Sequence, residues 1–153
     1  MCSSDLVATW PGFVPTAHGV AVDIGSTTVA AHCCDLATGA VLATASAMNP
    51  QIRFGDDLMS RVSYVMLDPG RAEAVTGAVR DAVRGLIDEV AGCAGIDRAT
   101  ILEVVVVGNP VMHHSFLGLD IVPLGVAPFT LAQSAALDVP ADGVGLDLPG
   151  ASV

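Results

Sequence analysis

The 153-residue sequence contains no lysine. All of its basic residues are arginines, and sixteen acidic residues bring the net charge to -10. Without lysine, a Walker-type phosphate loop and Schiff-base chemistry are excluded. Any phosphate held here must be held by backbone amides, hydroxyls, arginine or a metal. An acidic chain also repels phosphate backbones at long range, so no nucleic-acid partner is expected. The four cysteines, Cys2, Cys33, Cys34 and Cys93, form no C-x-x-C pair. That removes zinc ribbons and most iron–sulfur signatures. Adjacent Cys33 and Cys34 should face opposite sides of a strand, and the cysteines read as small buried hydrophobes of a reducing cytoplasm. Hydrophobic residues make up 52 %, yet no apolar run approaches the ~20 residues a membrane helix needs. No membrane partner follows. The opening MCSSDLVATW has neither a basic segment nor a sustained apolar one, so no signal peptide is read and a cytoplasmic location is expected.

What is present begins with short apolar runs separated by turn signals. Residues 1–18 contain Pro11, Gly12 and Pro15 without periodicity and read as a lead-in or linker. Residues 20–24, 28–36 and 40–48 read as three strands joined by GST and ATG turns, an antiparallel meander. After the loop NPQIRFGDD, residues 56–66 predict a short helix with Leu58, Val62 and Val65 or Met66 on one face. Asp68-Pro69 is a helix start, and 71–91 predicts a long helix with Val75, Val79, Val83, Leu86 and Val90 at helical spacing. Its charged face (Glu73, Arg80, Asp81, Arg84, Asp88) reads as solvated. Gly77 and Gly85 weaken that helix unless another backbone packs close to them. A strand over 102–107 and a helix over 111–119 follow, and the Ala, Gly and Pro-rich text after Pro128 shows no clear element. The order β-β-β-α-α-β-α predicts an α/β fold with a mixed sheet, as in ribonuclease-H-like lobes.

The chemistry concentrates in GVAVDIGSTTVAAHCCDLATG, residues 19–39. Asp23 falls at the end of the first strand, where a carboxylate can reach solvent or a hydrated Mg²⁺ instead of being stranded in apolar surroundings. Gly25 permits close approach, and Ser26, Thr27 and Thr28 offer amides and hydroxyls in succession. Consecutive amides in a turn form an anion-binding concavity. Together these are the parts for a phosphate and its metal, with the alternative that Asp, Gly, Ser and Thr simply make a turn.

Three blocks carry a resemblance: AVDIGSTTVA with its downstream DLATG; NPQIRFGDDLMSRVSY, 49–64; and VVVVGNPVMHHSFLGLD, 106–120, followed by LGVAPF. The first is similar to the first phosphate motif of the acetate and sugar kinase, heat-shock chaperone and actin superfamily. The three in this order resemble the ATPase-like part of the reductive activators of corrinoid proteins, over about residues 19–130. The resemblance implies a first ATPase lobe at 19–130, with 131–153 as the start of a following segment. It implies ATP and Mg²⁺ as ligands, Asp23 positioning Mg²⁺ through water, and Gly25, Ser26, Thr27 and Thr28 on the terminal phosphates. It implies a corrinoid protein of a methyltransferase system as partner, restored to cob(I), and leaves a homodimer open. A [2Fe–2S] cluster belongs to the intact family members, and four scattered cysteines do not supply it here. The adenosine site is expected on a second lobe beyond Val153. A sugar-kinase-like phosphotransferase lobe and a non-catalytic docking module of the same fold remain the alternatives.

Other candidates lie in the second and third blocks. Asn49 follows a strand and is expected to line the same cleft as Asp23, with Gln51, Asp56 and Arg61 nearby. The alternative is loop punctuation and caps, with Arg61 pairing with Asp57 at (i, i+4). Gly108 and Asn109 end the fourth strand, where open sheets bind ligands, or Asn109 caps the next helix with Pro110 at its first position. His113 and His114 point about 100° apart on a helix and do not share one ion easily; one is expected in the core edge and one in solvent. His32 reads as a satisfied strand residue.

Overall fold

A computed structural model describes residues 16–153. The proposed lead-in over 1–18, and Cys2 with it, lies almost wholly outside the described residues. Strand β1 (His18–Ile24) is followed by β2 (Thr28–Asp35) and β3 (Val41–Met48). Helices α1 (Leu58–Leu67) and α2 (Ala72–Ala94) lead to β4 (Ile101–Gly108), and α3 (Pro110–Leu117) follows. The sheet order is β3-β2-β1-β4, with β1–β2 and β2–β3 antiparallel and β1–β4 parallel. The meander comes from short turns, and the parallel pair requires the long crossover that α1 and α2 supply. This is the expected α/β order with a mixed sheet.

Alternation along the strands decides which side of the sheet is covered. Val20, Val22, Ile24, Val29, Ala31 and Cys33 are buried and meet Val75, Val79, Val83, Leu86, Ile87 and Val90 in one core. Each fully buried aliphatic side chain contributes about 1.5–3 kcal/mol. The opposite face carries Ala21, Asp23, Val105 and Val107, all exposed. Helix α2 runs three residues past the expected end, and Gly95 in the left-handed region (φ 67°) closes it. No atom approaches the missing Cβ of Gly77 or Gly85 within 4 Å, so close backbone packing is not why they are there.

Two expectations are corrected. The arginines of α2 are not simply solvated. Arg80 Nε donates to the Phe116 carbonyl (2.8 Å), tying α2 to the end of α3, and burial lowers its pKa. Arg84 donates to the Gly145 carbonyl (3.3 Å), and Arg98, just after α2, spans Asp88 and the Leu146 carbonyl. Those carbonyls belong to the stretch after Pro128 in which no element was expected. Val139 and Val153 exchange amide-to-carbonyl bonds, and Ser152 bridges to β4 through Leu102 and Val104. Ala141, Val144, Leu146, Leu148 and Ala151 are buried in the same core as the sheet. The hydrophobes there follow irregular backbone, which leaves no periodicity to read.

Candidate functional site

Turn 25–27 closes the β1–β2 hairpin, and its backbone is unusually constrained. The Gly25 amide donates to the Thr28 carbonyl (2.9 Å), and a Cβ on Gly25 would lie 2.6 Å from that same oxygen. Only glycine fits without moving the backbone. The carbonyls of the turn point into the protein. That of Gly25 accepts from Asn49 Nδ2 (2.8 Å), that of Ser26 from Arg61 Nη2 (2.6 Å), and that of Thr27 from the Asn49 amide (2.7 Å). Ser26, Thr27 and Thr28 face out: Thr27 and Thr28 are exposed and Ser26 is half-buried.

Asp23 stands beside this turn on the uncovered face of β1, opposite Ala30 of β2 and Val107 of β4. Among the described residues its carboxylate has no hydrogen-bond or ion-pair partner, and it is exposed. A free, hydrated carboxylate next to outward amides and hydroxyls fits a water-ligated Mg²⁺ and a phosphate.

Gly108 pairs with Ile24 in the parallel ladder, so the β4–α3 junction sits at the same end of the sheet as the turn. A Cβ on Gly108 would be 3.0 Å from the Ile24 carbonyl, a close approach that favours glycine. Asn109 is a helix cap: its side chain accepts from the Met112 amide (3.1 Å), with Pro110 at the first helical position. The structure thus gathers Asp23, Gly25, Ser26, Thr27, Thr28, Asn49, Gly108 and Asn109 at one sheet end. It does not expose them all. Asn49 is fully buried; its oxygen accepts from the Gln51 amide (3.0 Å) while its nitrogen holds Gly25. It acts on the turn from behind.

Arg61 departs most from expectation. It makes no pair with Asp57, which caps α1 by accepting from the Ser60 amide (2.7 Å), a bond that holds the Asp57 carboxyl below its ordinary range. Arg61 is fully buried instead, with Nε on the Gly55 carbonyl (2.9 Å), Nη2 on Ser26 and Nη1 near the Met112 sulfur. Burial lowers its pKa. Gln51 is also buried, donating to the Val75 carbonyl (3.0 Å). Asp56 remains in the loop before α1.

Histidines and cysteines serve the fold. His32 Nδ1 meets the Thr44 hydroxyl at 2.9 Å, as a satisfied strand residue should. His114 is buried and uses both nitrogens: Nδ1 faces the Pro110 carbonyl (2.8 Å) and Nε2 the Ala132 amide (3.1 Å). A carbonyl only accepts and an amide only donates, so the neutral tautomer protonated at Nδ1 is the one that fits. His113 is half-buried, and burial lowers its pKa. Cys33 is buried and Cys34 half-buried on opposite sides of β2, but Cys93 is exposed on α2, against expectation. Among the described residues no three His, Cys, Asp or Glu side chains form a metal-binding group. No helix of the described residues is long and apolar enough to cross a membrane. A cavity of about 570 Å³ lies over β4 between Val105, Val107, His113, Leu131 and Leu137, reaching Ile24 and Gly108 but not the turn itself.

The RACo middle-region family matches residues 18–153, nearly the whole chain. The chain belongs to the RACo middle-region family. The corrinoid activation enzyme RamQ of Eubacterium limosum is 37 % identical over 112 residues, covering 73 % of this chain and 19 % of that protein. The solved structure of a reductive activator for corrinoid, iron–sulfur protein superposes with a TM-score of 0.88 at 34 % identity, covering 92 % of this chain and 23 % of that one. The chain therefore spans about a fifth of the length of these relatives. All three sequence blocks, including the turn, Asn49, Arg61 and Gly108-Asn109, fall inside the family match.

Proposed function

We propose that this RACo middle region holds the Mg-phosphate end of ATP in an ATP-dependent activator that restores cob(I) in a corrinoid methyltransferase protein. One observation carries the reading: a polar turn with its carbonyls turned inward stands beside the free carboxylate of Asp23 at an open sheet end. The relatives' own descriptions, a corrinoid activation enzyme and a reductive activator, support the activity.

Ser26, Thr27 and Thr28 would bind terminal phosphate oxygens through amides and hydroxyls, and Asp23 would orient metal-bound water. Bound Mg²⁺ would neutralise charge between phosphate oxygens. The adenosine would be gripped elsewhere, and the electron for cob(II) would come from a [2Fe–2S] cluster outside this chain. Its partner would be a corrinoid protein, and its place the cytoplasm. ATP would drive a conformational change in the complex; a sugar-kinase-like lobe would instead transfer the phosphoryl group to a hydroxyl.

The test uses a longer homologue carrying this region. Titration with Mg-ATP should release or absorb heat, and with a cob(II)alamin-loaded partner and a reductant the cob(I) absorbance should appear only when ATP is present. No binding heat at high ligand overturns the nucleotide reading and leaves a docking module of the same fold. ATP consumption with a phosphorylated small-molecule product overturns the activator reading in favour of the kinase.

A further inference from the structure

The most unusual group in the molecule is the Arg61 guanidinium. It is fully buried, and among the described residues no carboxylate lies within ion-pairing distance. Buried cations are ordinarily paired, because an uncompensated charge in the interior is costly. The hydrogen-bond partners of Arg61 are neutral: the Gly55 and Ser26 carbonyls and the Met112 sulfur. Asp57, one helical turn away, is bound to its helix cap, and it and Asp56 act on the guanidinium only from beyond pairing distance.

Peptide geometry gives this placement a consequence. In a trans peptide the N–H points opposite to the C=O. Arg61 draws the Ser26 carbonyl inward, so the Thr27 amide points outward. Asn49 does the same at the preceding peptide, through Gly25. The Ser26 and Thr27 amides are thereby turned away from Asn49 and Arg61, with a fixed positive charge behind them, while the Thr27 carbonyl continues the β2–β3 ladder and leaves the Thr28 amide pointing across the hairpin. Successive outward amides are an anion-binding concavity.

We propose that Arg61 is the positioning residue of the Gly25–Thr28 turn, and that a phosphate bound on the turn adds a counter-charge on the side of the guanidinium that no carboxylate occupies within ion-pairing distance. The inference rests on the phosphate reading above. Arg61 touches no ligand; it acts through the Ser26 peptide, fixing the direction of the amides and raising the local potential. Asn49 is the neutral half of the same device. The second sequence block therefore serves the first: residues 49–61 form the back of the turn whose front meets the phosphate.

The experiment uses the 153-residue chain and nuclear magnetic resonance, which detects weak binding. Inorganic pyrophosphate with Mg²⁺, then Mg-ATP, are titrated into the wild type, Arg61→Lys and Arg61→Met. In the wild type the Ser26, Thr27 and Thr28 amides should shift, and the Arg61 Nε–H resonance should shift in parallel and exchange more slowly with water. Arg61→Met should weaken the amide response about tenfold, the weight of one charge-assisted contact. Arg61→Lys, keeping the charge but losing the fork, should fall between the two. The wild-type Nε–H measurement stands even if a variant fails to fold. Turn amides that shift with no change at Arg61 Nε–H, or folded variants that bind as the wild type does, overturn the role of Arg61 and leave the phosphate reading intact. No response of the turn amides in the wild type overturns both.

Discussion

Two hairpin turns of the same sheet make the most informative comparison. Both contain glycine and threonine and follow an aspartate near the end of a strand: residues 25–27 join β1 to β2, and residues 36–40 join β2 to β3. The second is mostly self-contained. The Asp35 carboxylate accepts from the Ala37 and Thr38 amides (2.7 and 3.1 Å), the Thr38 hydroxyl accepts from Ala40 (3.2 Å), and Gly39 sits in the left-handed region (φ 74°). Apart from the Leu36 amide, which donates to the Ala17 carbonyl (2.9 Å), these bonds are local, and every residue is exposed or half-buried. The first turn has one such local bond, from the Gly25 amide to the Thr28 carbonyl. Its carbonyls are held by Asn49 and Arg61, 24 and 35 residues away, and the adjacent Asp23 has no partner among the described residues. Similar composition thus yields a turn that satisfies itself and a turn that the rest of the molecule holds open. Only the second kind has amides and a carboxylate left for something else.

The contrast can be broken most severely at Arg61. Arg61→Met keeps most of the volume but leaves the Gly55 and Ser26 carbonyls without their donor, and should destabilise the fold by about 3 kcal/mol in urea unfolding. Next is Asn49→Ala, which deprives the Gly25 carbonyl and the Gln51 amide of their partner and should cost about 2 kcal/mol. In the control turn, Gly39→Ala should cost only about 1 kcal/mol, from the left-handed backbone alone, and should leave phosphate-induced amide shifts at Ser26–Thr28 unchanged. Asp23→Asn sharpens the comparison from the other side. Being exposed and unpartnered, it should change stability by less than about 0.5 kcal/mol while abolishing the Mg²⁺ dependence of phosphate binding in the same titration. A large stability loss for Asp23→Asn would mean that this carboxylate is structural.

Much of this fold was legible in the sequence. Apolar runs bounded by turn signals gave β1 to β3, the helical spacing of valines gave α2, and Asp68 and Asn109 marked helix starts that the structure reproduces. The polar turn stood out because its residues suit a strand interior poorly. What misled was long-range. Arg61 lies four residues after Asp57, and local spacing favours a surface pair. Only the helix axis and the position of the turn above it direct the guanidinium inward. Asn49 was placed near the site correctly, but burial changes its part from lining to support. Residues 139–153 have buried apolar side chains without period, so nothing local announces that they complete the core.

The sequence by itself determined the strand and helix order, the lack of any lysine for phosphate and the one turn rich in hydroxyls, because these depend on near neighbours and composition. Tertiary structure alone decided that the turn's carbonyls face inward. That orientation depends on where distant Asn49 and Arg61 donate their hydrogen bonds, and spacing along the chain carries no record of it.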